Sequence, residues 1–407
     1  MTGSFSAFRR VWLGATASAA GDAASWIALV ALALGTPHAS IAVLAICYTA
    51  PVAVGGLAAG WALDRFDRRR LMIIDAAARA AVFALIPITA AFGAGLAGQQ
   101  NAIPLPLIYS VAAVYGLLKM ISLAGFPALI PQLVDDDQLS RANALEGASY
   151  GLASLAGAGF AGLVIGGFGR DGAIGLVVAD AVSYLGFAVM LRTVTPRQLP
   201  GPETASTRTS LAEVIRLVLR RPVLRTITAM FALFNIGEGM LLVFLPRRSA
   251  EIGLGAGGYG YLVAALTCGD LAAAALLARR DWRRPLVPSI LVGQFAAATI
   301  VLTLIVPSAV STILAMTALG FVSAPMTAWA QTLRMREAPA TMHGRLFAVL
   351  RTAMQATPPI GAAAAAGLSH FGASALLGCV AAVMGLPVLA GAADVLRVPP
   401  PVPQEQA

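Results

Sequence analysis

Apolar residues run along this chain in long blocks separated by short polar breaks. Twelve of these blocks have roughly the twenty residues that a bilayer-crossing helix needs. They cover 11–34, 41–63, 71–93, 105–130, 143–168, 172–191, 223–245, 259–278, 286–306, 309–332, 346–368 and 373–394. The first block follows Phe8-Arg9-Arg10, is too long for a secretory leader and has eleven successors, so it reads as an uncleaved first span. The pattern predicts an all-α polytopic membrane protein. One polar stretch is longer than the rest and divides the spans six and six. The predicted organisation is therefore an N-terminal six-helix bundle over 1–191, a cytoplasmic linker over 192–221, and a C-terminal bundle with a short tail over 222–407. The linker opens with "TPRQLPGPETASTRTS" and continues as "SLAEVIRLVLRR", where Ser210 and Glu213 have capping-box spacing. Leu211, Val214, Ile215, Val218 and Leu219 share one helical face, which predicts an amphipathic helix lying on the membrane surface.

Composition agrees. Of the 407 residues 58% are hydrophobic and 12% charged, where soluble domains carry roughly a quarter charged residues. The net charge of +9 lies mostly in short loops beside spans, so it reads as an orientation signal and not as a nucleic-acid surface. With the amino terminus inside, the loops holding Arg65 to Arg70, Arg141, Arg192 to Arg221, Arg279 to Arg284 and Arg334 to Arg345 are cytoplasmic. The other side receives only Arg170, Arg247 and Arg248. This bias predicts the inner membrane, with both termini cytoplasmic. Cys47, Cys268 and Cys379 lie inside apolar blocks without metal-ligand spacing, and His38, His343 and His370 fall in separate loops. No phosphate-cradling glycine loop of P-loop type occurs. The expectation is a protein that is not an enzyme, has no metal or other cofactor, and acts as a monomer with lipid and a small molecule as partners.

The stretch "GWALDRFDRRRLM" between spans two and three resembles the signature loop of the major facilitator superfamily, at Gly60, Asp64, Arg65, Arg68 and Arg69. "PQLVDDDQLSRANALEGA", Pro131 to Ala148, is similar to the segment between spans four and five in the branch of drug:proton antiporters and enterobactin-type siderophore exporters. Gly21-Asp22 in span one fits that branch too. The halves also echo one another. Arg68-Arg69 with Leu71 resembles Arg283-Arg284 with Leu286, and "GAGFAGL" from Gly157 resembles "PIGAAAAAGL" from Pro359. The resemblance implies two pseudo-symmetric six-helix bundles with a substrate site at the midplane between them. It further implies that Asp64 approaches the amino-terminal end of span eleven near Gly344 and stabilises a closed cytoplasmic side, with Arg68 pairing to a nearby acid such as Asp75. Three departures stand out: Asp67 replaces a usual glycine, Gly157-Ala158 a usual Gly-Pro, and span four carries Lys119 where many antiporters have arginine.

A charge at the bilayer centre costs on the order of 3 kcal/mol on insertion scales, so embedded ionisable groups are candidates for function. The deep acids are Asp22, Asp180, Glu238 and Asp270; Lys119 is the only lysine in the chain and, unlike arginine, can lose its proton. Asp22 shares a face with Ser18 and Ser25, and Tyr115, Ser122 and Phe126 share Lys119's face of span four. Glu238 lies three residues after Asn235, between Gly237 and Gly239. The candidate proton-coupling or substrate-binding residues are thus Asp22, Lys119, Asn235, Glu238 and Asp270. Asp75 and Arg79, one turn apart on span three, read as a structural pair. Gly56/Gly60, Gly147/Gly151 and Gly162/Gly166 have the spacing of close helix contacts. The leading expectation is proton-coupled export of a small amphipathic molecule by alternating access. A facilitator or uptake symporter of the same fold, and a non-transporting sensor or scaffold, are the competing readings.

Overall fold

The computed structural model describes residues 3–96, 103–197, 211–279, 286–338 and 343–395. The apolar blocks are helices throughout: α1 (Gly3–Leu34), α2 (Ile41–Arg65), α3 (Arg68–Leu96), α4 (Leu105–Leu133), α5 (Asp136–Arg192), α6 (Leu211–Arg220), α7 (Pro222–Glu251), α8 (Gly258–Ala278), α9 (Leu286–Thr303), α10 (Ala309–Glu337), α11 (His343–Gln355), α12 (Pro358–Leu368) and α13 (Ala373–Val395). Among the described residues nine helices are long and apolar enough to cross a bilayer. In hydrocarbon every backbone donor and acceptor must be satisfied within the segment, which makes helix the only open choice for such blocks.

Two helices depart from the expected spans. α5 runs through both spans five and six, broken only at Gly169, whose φ of 54° and ψ of −128° suit a residue without Cβ. Its arms fold back on each other, because Gly157 on one and Asp180 on the other both meet α1, at Ala20 and Gly21. Span eleven, expected unbroken over 346–368, is instead two helices interrupted at Ala356 and Thr357. Pro358 and Pro359 explain the break: neither offers a backbone N–H to continue the helical ladder, so two successive bonds are missing although Thr357 keeps helical φ and ψ of −89° and −34°. Setting aside the short α6, and counting each arm of α5 separately and α11 with α12 together, the spans among the described residues number twelve.

The same helix pairs build both halves. α1 crosses the first arm of α5 where Gly157 lies on the Ala20 carbonyl, and α7 crosses α12 where Gly361 lies on the Ile236 carbonyl and Gly239 on that of Pro358. α2 meets α4 through Gly55 and Gly116, as α8 meets α10 through Gly269 and Gly320. Backbones approach this closely only where a side chain is missing. The echo between "GAGFAGL" and "PIGAAAAAGL" is thus an echo of packing, with each segment holding the first helix of its half. Across the halves, α5 packs on α8, and α2 packs on α7, α11 and α12.

Those two seams are tight at one end of the molecule and slack at the other. Gly162 lies against the Tyr261 ring and within reach of the Gly257 carbonyl, and Gly260 faces the backbone of Gly162. Towards the arginine-rich end a Cβ on Gly151 would meet only the Leu271 side chain, and one on Gly147 would meet nothing within 4 Å. Gly56 has only Met120 and Thr352 at the edge of contact and Gly60 nothing, so that pair is not a packing motif in this conformation. The amphipathic helix α6 also sits differently than expected. Val214 is fully buried against Ala338, Leu346 and Leu350, with Leu217 and Val218 beside it, which leaves Ile215 and Leu219 exposed. Half of the apolar face therefore covers the end of α11, since α11 presents a matching apolar surface there. The expected cap at Ser210 lies outside the described residues.

Candidate functional site

Between the halves, where α5 and α8 diverge, lies a cavity of about 960 Å³. Its walls come from α5 (Gly147, Tyr150, Gly151), α7 (Phe231, Phe234, Asn235, Glu238), α8 (Asp270), α10 (Ser323, Thr327, Gln331, Arg334) and α11 (Leu350, Met354). Glu238 is exposed to this space and has no hydrogen-bond partner among the described residues. Asp270 accepts a hydrogen bond from the Ser323 hydroxyl at 3.0 Å. Asn235 is turned back on its own helix, its Nδ2 donating to the Phe231 carbonyl at 2.7 Å. Arg334 is 7% exposed, with its guanidinium 5.2 Å from the Phe231 ring centre. Three of the residues singled out in sequence, Asn235, Glu238 and Asp270, therefore share one chamber.

The other two, Asp22 and Lys119, belong to a polar cluster inside the first half. At its centre is Arg79, 1% exposed, which reaches four elements at once. It donates to Asp75 Oδ2 at 2.7 Å and to Asp22 Oδ1 at 3.3 Å, bonds the Ser122 hydroxyl at 2.9 Å, and lies 4.3 Å over the Tyr184 ring. Ser122 in turn donates to Asp75 at 2.5 Å, and the Tyr184 hydroxyl donates to Asp22 Oδ1 at the same distance. Asp75 and Arg79 are thus one part of a network that joins α1, α3, α4 and the second arm of α5. Asp22, 15% exposed, is the acid of this network that borders a small pocket of about 60 Å³, with Lys119 and Glu146 beside it. Tyr150 lines both this pocket and the central cavity. Asp180 faces Gly21 of α1 and accepts from Ser183 at 3.0 Å.

Lys119 leads away from the network towards the tight end. Its ammonium donates to the Tyr48 hydroxyl at 3.0 Å and stands 5.6 Å from the Tyr48 and Tyr115 ring centres. Tyr48 stacks on Trp26 at 4.6 Å, and the Trp26 indole donates to the Tyr259 hydroxyl of the second half at 3.1 Å. A further pocket of about 380 Å³ lies at that end, bordered by Gly169, Arg170 and Tyr259, and it shares no lining residue with the central cavity. Glycine crossing and aromatic bridge together separate one chamber from the other.

A two-chambered, twelve-span helical architecture of this kind is a known one. The model of the Major Facilitator Superfamily matches residues 11–362. The chain belongs to this superfamily. An MFS-type transporter of Sinorhizobium fredii (strain NBRC 101917 / NGR234), y4rN, is 29% identical over 340 residues, covering 77% of this chain and 76% of that protein. Solved structures share the fold at low identity. The nucleoside transporter NupG, solved as a point mutant, has a TM-score of 0.73 and 10% identity over 95% of this chain and 99% of its own. The D-xylose-proton symporter has a TM-score of 0.69 and 16% identity, over 95% of this chain and 97% of its own. The protein is a multi-pass membrane transporter of the Major Facilitator fold.

The facilitator signature loop is held by helix ends. Asp67 Oδ1 accepts from the Arg70 backbone N–H at 2.7 Å and so caps α3, a local use for an acid where the family pattern has glycine. Arg69 donates to the Leu191 and Arg192 carbonyls at 2.7 and 2.8 Å, capping the end of α5. Arg65 lies 5.0 Å from the Trp61 ring centre. Arg68 does not pair with Asp75 as the sequence suggested, because Asp75 is taken by Arg79 and Ser122; Arg68 donates to the Ala128 carbonyl at 2.7 Å. The Asp64 side chain and the surroundings of Gly344 lie outside what the structure describes, as do Arg283 and Arg284. A correction concerns Arg334. Sequence placed it in a loop after span ten, whereas α10 continues to Glu337 and turns Arg334 into the cavity. Its face was legible: Ser323, Thr327, Gln331 and Arg334 recur at helical spacing.

Proposed function

We propose that this protein is a proton-coupled exporter of a small amphipathic molecule, working by alternating access, with the arginine-rich end on the cytoplasmic side of the inner membrane. The observation that carries this reading is the central cavity. It is walled off at one end, widens towards the other, and places the unpartnered carboxylate of Glu238 beside aromatic walls. In this reading Glu238 and Asp22 carry the protons, Asp270 and Asn235 contact cargo or assist Glu238, and Lys119 links the first-half cluster to the Trp26–Tyr259 bridge. Gly60, Asp64, Arg65, Arg68 and Arg69 form the gate that closes the cytoplasmic side in the alternate state. An amphipathic cargo fits a chamber where Phe231, Phe234 and Tyr150 stand among ionisable groups.

The test uses inside-out vesicles with an acid interior and follows internal pH as an amphipathic amine dye is added. Exchange of dye for protons raises the internal pH, and Asp22→Asn or Glu238→Gln removes the rise. Alkalinisation that survives in both variants overturns their assignment. Dye movement without any proton movement makes the protein a facilitator instead.

A further inference from the structure

Among the described residues, Arg334 is the one charged group lining the central cavity that the exporter reading leaves without a task. It is 93% buried by its 7% exposure, yet its Nε and Nη2 have no hydrogen-bond partner. No ion pair joins it to Glu238 or Asp270, although all three line the same chamber. A buried guanidinium with idle donors has lost its water without gaining partners, and the cost is greater for a charged group than for a neutral one. What fills a fork of this shape is an oxyanion that can take two parallel N–H bonds.

The acids mark the other end of the chamber. Asp270 is bonded to Ser323, and Arg334 follows Ser323 by three turns on the same face of α10. Eleven residues of helix separate their Cα levels by about 16 Å. Helical side chains lean towards the amino terminus, which brings the guanidinium back towards the acids and leaves a gap on the order of 10 Å between the charges. Thr327 and Gln331 stand along that gap, with Phe231 under the guanidinium and Phe234 beside it.

We infer that the cargo is zwitterionic, with its cationic group held by Glu238 and Asp270, its oxyanion by Arg334, and an apolar or aromatic body against Phe231 and Phe234. This rests on the reading of the cavity as the transport site and adds the charge type of what it carries. It makes Arg334 a binding residue, where the exporter reading alone asks only for an amphipathic molecule.

The experiment titrates the full chain in lipid nanodiscs with Phe-Ala-Phe, whose termini stand about 10 Å apart when extended, and with its C-terminal amide and its N-acetyl form. The free tripeptide binds about tenfold more tightly than either singly charged form. Arg334→Gln removes that advantage and leaves the amide unchanged, while Arg334→Lys restores part of it. Glu238→Gln weakens the tripeptide and the amide alike. The inference is overturned if the amide binds as well as the tripeptide, if Arg334→Gln weakens all three equally, or if none of the three binds. The vesicle assay with the amine dye separates the two levels. Proton exchange with the dye, alongside no preference for the zwitterion, leaves the exporter standing and removes only the oxyanion site.

Discussion

Arg79 shows how one side chain ties a membrane bundle together. A guanidinium embedded in a membrane bundle is costly to leave unpaired, and here α1, α3, α4 and the second arm of α5 each supply a partner. Removing it leaves Asp75 and Asp22 buried without a counter-charge, which costs about 3–5 kcal/mol for a broken buried pair. Arg79→Gln therefore lowers the thermal unfolding midpoint in detergent sharply, whereas Ser122→Ala, which deletes a neutral partner, lowers it by far less. Equal midpoints for Arg79→Gln and the parent chain contradict the network. The Asp75–Arg79 contact was legible as an i, i+4 spacing. Asp22 was legible only as a deep acid, because its partner lies 57 positions away and nothing local in either segment announces the other. Lys119 is similar: its depth was readable, but its bond to Tyr48 and the relay to Trp26 and Tyr259 depend on how three helices and the second half come together. Arg334 was missed for a simpler reason, that hydropathy ended span ten at 332, two residues before the arginine.

At the scale of elements, hydropathy found every span because bilayer thickness imposes the length. It could not find the break at Ala356 and Thr357, since apolar residues continue on both sides and prolines are tolerated within spans elsewhere, as at Pro51, Pro87 and Pro325. Glycine spacing was legible, but its meaning was not. Gly162 is a contact in this conformation and Gly147 is open space, and only the seam between α5 and α8 tells them apart. The difference leads to opposite outcomes for the same substitution. Gly162→Leu drives α8 away at the tight end and disrupts the conformation described. Gly147→Leu fits that conformation and blocks closure of the slack end, so it holds the cavity open, keeps cargo binding and abolishes transport. Binding and transport assays on the two variants check this, and normal transport by Gly147→Leu rules out closure along this seam.

The molecule as a whole is two halves built from the same glycine crossings, joined along seams that are closed at one end and parted at the other. Such a body can rock only if the tight end opens as the slack end closes, and the cavity with its acids then faces each side in turn. The direct measurement is electron-electron distance between spin labels on a chain whose native Cys47, Cys268 and Cys379 are replaced. One pair, at Ala144 and Ala278, reports the slack end, and the other, at Gly167 and Ala256, reports the tight end. On acidification or on adding a transported amine, the first distance shortens and the second lengthens in the same sample. Distances that stay fixed, or change in the same direction, under conditions where vesicles show transport contradict alternating access about this cavity.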